Sequence, residues 1–206
     1  NNGDYGAAVR CIDWATEALL AELAALGLDN DTIVIFTSDN GALDASNGGS
    51  GSNAPLRGSK GTTWDGGQRV PCIVRWPGHV AAGVECDQMA TAMDFYPTLA
   101  TLAGAVLPDD RVIDGDDISL LLGLAGGAIN DDRDFFFIRG ANIGAVRRGK
   151  WKLHVVRNGN DITELYDLTI DVGEQHDVAA EHPDIVAALT ASVEAGRAAL
   201  GDERLG

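Results

Sequence analysis

Apolar residues recur at helical spacing near the start of the chain. Tyr5, Val9, Ile12, Leu19, Leu20, Leu23 and Leu26 form one stripe of a helix expected over Asp4 to Leu26. Asp4 is placed to cap it and Gly27 to stop it. After the turn Leu28-Asp29-Asn30-Asp31 the pattern changes from periodic to continuous. Thr32-Ile33-Val34-Ile35-Phe36-Thr37 is a short, β-branched run with the character of a strand buried on both faces of a parallel sheet. Cys72-Ile73-Val74-Arg75-Trp76 is a second such run, closed by Pro77-Gly78. Met93 to Gly104 reads as a short helix with Pro97 in its first turn and Gly104 as its stop. A helix followed by a buried strand is the signature of an α/β architecture.

The texture changes after about residue 107. Ile118 to Leu124 is a short apolar helix candidate ended by Gly126-Gly127. Short strand-like runs follow at Phe135–Ile138, Ile143–Arg147, Trp151–Val156 and Glu164–Leu168. Arg148-Gly149-Lys150 and Asn158-Gly159-Asn160 separate them as turns, so an antiparallel sheet is expected. His182-Pro183-Asp184 then leads into a helix from Ile185 to Leu200. A boundary near 105–112 divides the chain into residues 1–107 and a subdomain of residues 108–206.

Composition narrows the function classes. Fifteen basic and 31 acidic residues give a net charge of −16, which repels nucleic acid and anionic membrane surfaces. No run of 18 apolar residues is present to cross a membrane as a helix. Cys11, Cys72 and Cys86 lie far apart without a CxxC spacing. They make neither a disulfide framework nor a zinc site, and buried free thiols are the expected state. Helix-like sequence within a few residues of the start, with no initiator Met, leads us to expect a processed chain or an internal fragment.

The chemistry gathers just after the first strand, where open α/β sheets place their ligands. Asp39 offers a carboxylate and Asn40 an amide oxygen, both hard donors suited to calcium or magnesium. Alone, Ser-Asp-Asn-Gly is an ordinary turn. Lys60 stands in a Gly-flanked stretch with Arg57, on a segment able to fold back over the strand end as an anion clamp. Arg69 is expected to tie this loop to the core and Trp64 to pack. His79, His154, His176 and His182 read as surface or packing residues.

These segments together resemble the sulfatase family of the alkaline-phosphatase-like superfamily, close to the arylsulfatase B type. The matching stretches are Thr37-Ser38-Asp39-Asn40-Gly41, Asn53-Ala54-Pro55-Leu56-Arg57-Gly58-Ser59-Lys60, and Trp64-Asp65-Gly66-Gly67 with Arg69 and Pro71. Trp76-Pro77-Gly78, Asp94-Phe95-Tyr96-Pro97-Thr98-Leu99, Asp114-Gly115 and Trp151-Lys152-Leu153 match as well. Leu165-Tyr166-Asp167-Leu168, Glu174 and His176-Asp177 complete the set, in the family's order along nearly the whole chain.

The resemblance implies part of an alkaline-phosphatase-like α/β sheet with flanking helices, plus a small C-terminal antiparallel sheet with a helix. It implies Asp39 and Asn40 as ligands of one Ca²⁺, with Mg²⁺ as the alternative, and Lys60 as a catalytic residue that contacts the sulfate and assists the leaving group. The substrate would be an aryl or glycan sulfate ester. The family's nucleophile is a formylglycine made from Cys or Ser in a Cys/Ser-x-Pro-x-Arg motif, and no such motif occurs here. The resemblance therefore implies the C-terminal half of a sulfatase, inactive by itself, with formylglycine in an N-terminal half. Such a half would leave sheet surface to be covered by a homo-oligomer, and the family points to a periplasmic or secreted protein. A phosphate or phosphonate ester hydrolase of the same superfamily, or a non-catalytic binding or assembly module, are the alternative readings.

Overall fold

The computed structural model describes residues 3–45, 49, 51–124 and 132–200. Helix α1 spans Gly3–Ala25. Gly27, at a φ of +69°, ends it: the Leu28 amide donates to Leu23 O and the Gly27 amide to Ala24 O, the paired bonds of a left-handed stop. The same device closes the helix α3 (Phe95–Leu102) at Gly104 and the 3₁₀ turn Ser119–Leu122 at Gly123. The helix expected over 118–124 is thus only this 3₁₀ turn, because Gly123 adopts the left-handed conformation at once. Gly126-Gly127 lies outside the described residues.

The chain divides into two compact units, Asn1–Thr37 with Cys72–Asp131 and Ser38–Pro71 with Asp132–Gly206. In the first, strand β1 (Val34–Thr37) pairs antiparallel with β2 (Cys72–Arg75), with Val34 opposite Arg75 and Thr37 opposite Cys72. This corrects the expectation of a parallel strand covered on both faces. Phe36, Thr37 and Ile73 are exposed, since among the described residues β1 has one neighbour, and an apolar run cannot by itself specify its partners. The bidentate ion pair of Arg75 with Asp29, at 2.7 and 2.9 Å, fixes the outer end of the pair. The cysteines also differ from expectation: Cys11, Cys72 and Cys86 are free but exposed, the first on a helix with no buried residue and the second on this uncovered pair.

A fully buried Asp94 organises the rest of the first unit. Its carboxylate accepts the Thr91 amide at 2.6 Å and the Asp116 amide at 2.9 Å, closing a capping box and capturing the Asp114-Gly115 turn. A side chain at Gly115 would sit 2.1 Å from Met93 O, so only glycine allows the approach.

The second unit contains a four-stranded antiparallel sheet in chain order: β3 (Asp134–Arg139), β4 (Asn142–Arg148), β5 (Trp151–Arg157) and β6 (Asn160–Asp167). The β5–β6 turn is Asn158-Gly159 with φ of +51° and +80°, the mirror-image turn whose twist suits a hairpin. Helix α4 (Pro183–Leu200) begins at a proline and packs on one face. Ile143, Val146, Leu153, Leu165, Leu189 and Val193 form the core there. At Gly196 a Cβ would meet the Phe136 ring at 2.6 Å, so the missing side chain lets helix and sheet close.

Strands alternate faces. Leu153 points to α4, so Lys152 and His154 point to the opposite side, where both are fully buried. That second face is covered by chain from the loop 38–71. Leu165→Ala should cost about 2–5 kcal/mol, since it empties a wholly buried site. A lowered urea midpoint followed by far-ultraviolet circular dichroism is the check.

Candidate functional site

Asp39 and Asn40 form a bend one residue after β1, with Ser38 between. Ser38 Oγ donates to Asn40 O at 3.0 Å and lies 3.5 Å from Asp39 Oδ1. Asp39 is exposed and Asn40 half-buried. Next in the chain, Gly41 is buried and its amide donates to Gly67 O at 3.0 Å. A Cβ on Gly41 would lie 1.8 Å from Gly66 O. A Cβ on Gly66 would likewise lie 2.5 Å from Arg57 O and Gly58 O, and one on Gly67 2.5 Å from Thr62 O. Three glycine backbones therefore interlock at distances no side chain tolerates, which is the physical content of the Asn40-Gly41 and Asp65-Gly66-Gly67 stretches.

The segment carrying Lys60 does fold back. The Lys60 amide donates to Ala42 O at 3.2 Å, and the Asn53 side chain brackets Ala42, accepting its amide at 2.7 Å and donating to its carbonyl at 2.9 Å. Lys60 is thus held two residues of chain from Asn40, with its side chain exposed. Asp39, Asn40 and Lys60 belong to one unit. Among the described residues no three His, Cys, Asp or Glu side chains gather as a metal-binding group. Asp39 and Asn40 suit a hard cation in donor chemistry, yet two oxygens are a minority of the six to eight, roughly, that calcium takes.

Behind this surface lies a buried network that the residue pattern did not reveal. Lys152 Nζ contacts Asp65 Oδ1 at 2.7 Å and Glu174 Oε1 at 2.9 Å. His154 Nε2 contacts the same Glu174 oxygen at 2.8 Å, and Glu174 Oε2 accepts the Asp65 amide at 2.8 Å. Arg57 donates to Glu174 O at 2.6 Å while its guanidinium lies 3.8 Å over the Trp64 ring. Arg157 sits 4.4 Å from the same ring, and His154 lies tilted against it with ring centroids 4.2 Å apart. Trp64 packs as expected. Arg69 is 3.9 Å from Asp65 Oδ2, an ion pair within its own segment. A charged residue between the apolar Trp151 and Leu153 was the available signal for Lys152, but a solvent-facing lysine reads identically in sequence.

Charge and burial shape titration here. Burial pushes His154 down, and the Lys152 charge adds to this; the Glu174 hydrogen bond opposes but does not reverse it. Burial alone would raise Glu174, but His154, Lys152 and the Asp65 amide together hold its carboxyl below the usual range. Tyr166 is pushed up to about 12 by burial and its bond to Glu164 Oε2, so it remains a donor there.

Several comparisons bear on these residues. The model of the family named Sulfatase matches residues 2–105, and the N-sulphoglucosamine sulphohydrolase C-terminal model matches residues 59–198. Mouse steryl-sulfatase is 37% identical, covering 97% of this chain and 38% of its own length. Mouse N-acetylgalactosamine-6-sulfatase is 46% identical over 74% of this chain and 29% of its own length. Human arylsulfatase A is 37% identical over 91% of this chain and 42% of its own. The chain therefore spans less than half of each relative. The crystal structure of Ps i-CgsB in complex with k-i-k-neocarrahexaose superposes with a TM-score of 0.80 at 29% identity, over 90% of this chain and 41% of the other. The PsFucS1 sulfatase from Pseudoalteromonas sp. gives 0.79 at 27% identity, over 93% and 42%.

Acid should weaken the second unit in two stages. His154 prefers its neutral form when folded, so its contribution is lost as pH falls below the ordinary value of 6.5. Glu174 prefers its ionised form, so its contribution is lost as pH falls from the ordinary 4.5 through its lower folded value. Each proton accounts for at most about 1.4 kcal/mol per pH unit. His154→Gln should flatten the upper stage and spare the lower, as read from urea midpoints measured across pH.

Proposed function

Because this chain belongs to the sulfatase family, we propose that it forms part of a sulfuric ester hydrolase and supplies one side of its active site. In this reading Asp39 and Asn40 give two oxygen ligands to a single Ca²⁺, and Lys60 gives the ammonium that meets the ester. The observation that carries the proposal is the backbone strapping of Gly41 to Gly67 and of Lys60 to Ala42, which keeps the cation-binding turn and the lysine together. When bound, the calcium would supply Lewis-acid chemistry toward the sulfate group.

The chain's own residues would do the following. Lys60 neutralises negative charge on the ester and donates a hydrogen bond to the bridging oxygen as charge grows there. Asp39, exposed, and the half-buried Asn40 would offer their side-chain oxygens to the cation. Arg57 is drawn inward to Trp64 and to the Glu174 carbonyl. That leaves Lys60 to face the anion. The nucleophile, in our reading, is a formylglycine contributed from outside these 206 residues, so the isolated chain binds without turnover.

A calcium titration of the chain, followed by nuclear magnetic resonance at the Asn40 side-chain amide and the Gly41 N–H, tests the metal role. Both signals should move, and Asp39→Asn should abolish the movement. With calcium present, Lys60→Ala should weaken binding of inorganic sulfate about tenfold, the scale of one charge-assisted hydrogen bond. Unmoved signals at the turn would sink the metal assignment. Tighter binding of phosphate than sulfate would favour phosphoryl chemistry instead.

A further inference from the structure

Glu174 is a conspicuous residue for reasons separate from the proposed chemistry. It is wholly buried, and its backbone sits at a φ of +51°, a region that non-glycine residues seldom occupy. Such strain persists only where surrounding contacts over-determine it. The contacts are present. Both carboxylate oxygens and the main-chain carbonyl of Glu174 accept hydrogen bonds, and its own amide donates to Asp171 O at 3.1 Å. Two of those bonds come from the segment that bears Lys60: the Asp65 amide on Oε2 and the Arg57 guanidinium on the carbonyl.

From these two attachment points the constraint reaches the candidate site through short steps. Asp65 opens the four-residue helix α2 (Asp65–Gln68). Arg57 O accepts the amide of Gly66, the residue after Asp65, at 2.8 Å, so the two captured segments are also bonded to each other. Gly67 O then receives the Gly41 amide, beside Asn40, and Lys60 lies three residues beyond Arg57. Lys152 completes the clamp by bridging the Asp65 and Glu174 carboxylates, which without it would repel each other in a buried space. We propose that Glu174 and Lys152 are positioning residues that hold the Asn40–Gly41 turn and Lys60 in register through Asp65 and Arg57. This rests on the reading of Asp39, Asn40 and Lys60 as a calcium and sulfate site. Neither Glu174 nor Lys152 touches the ligand.

The test separates position from stability by residue-resolved amide hydrogen exchange on the whole chain. In Glu174→Gln, the Gly41 and Lys60 amides should exchange at least about tenfold faster, while Val146 and Leu153 in the sheet change less than about twofold. A purely structural role would accelerate both sets by the same factor, and that result, or no change at the turn, would overturn the proposal. Lys152→Met should show the same local loosening. Should neither variant keep the wild-type circular dichroism, Arg57→Gln, which removes one attachment outside the buried ion cluster, is read against the same criterion. Calcium is then added to the wild type and to Glu174→Gln. A wild type that responds, with weakened affinity in the variant, supports both ideas. Local loosening with no calcium response in the wild type defeats the metal reading alone, and a calcium response equal in both proteins defeats the positioning role alone.

Discussion

One buried ammonium decides how the second unit is built. Lys152 is taken wholly out of water, and its charge is met by two carboxylates at 2.7 and 2.9 Å. Removing one partner of such a cluster costs roughly 3–5 kcal/mol, because the remaining charge stays buried. The sheet therefore cannot turn this face to solvent or to any chance neighbour. It requires the loop that brings Asp65 and the turn that brings Glu174. Ion clusters of this kind add little net stability compared with an apolar core, but they accept few alternative partners. Here that selectivity pins an otherwise irregular segment of chain.

The same sheet serves two purposes through its two faces. Leu153, Leu165 and Val146 bury apolar surface under α4, supplying cohesion without direction. Lys152 and His154, one residue to either side of Leu153, face the loop and supply direction. Gly41, Gly66 and Gly67 convert that fixed point into close backbone contact at the turn where Asp39 and Asn40 lie. The order runs from residue alternation, to two unlike faces, to a held loop that carries Asp39, Asn40 and Lys60.

Much of this was legible in the sequence, and the failures have physical causes. The four C-terminal strands, their glycine turns and the final helix follow from short apolar runs with mirror-turn residues between them. The stops at Gly27 and Gly104 follow from the need for a left-handed residue. The partner of β1 was not legible, because a continuous run such as Val34–Thr37 encodes burial and not the direction of a neighbour. Nor was the exposure of Cys11 and Cys72, which depends on what covers α1 and β2. In the site, the Asp39-Asn40 turn and Lys60 stood out through motif resemblance. Lys152, Asp65 and Glu174 stood out only as parts of matching stretches, since joining residues 87 and 109 positions apart requires the fold.

Those separations carry a consequence for the order in which the molecule assembles. Each hairpin of the sheet closes over a few residues, whereas the bonds of Asp65 to Lys152, Asp65 to Glu174 and Arg57 to Glu174 close loops of 87, 109 and 117 positions. Chain entropy must be surrendered before such distant contacts are rewarded. The bonds to Glu174 cannot close until every residue through Glu174 has been made, whereas each hairpin can pair once its own two strands exist. The segment bearing Asp39 and Lys60 is therefore synthesised well before the residue that anchors it.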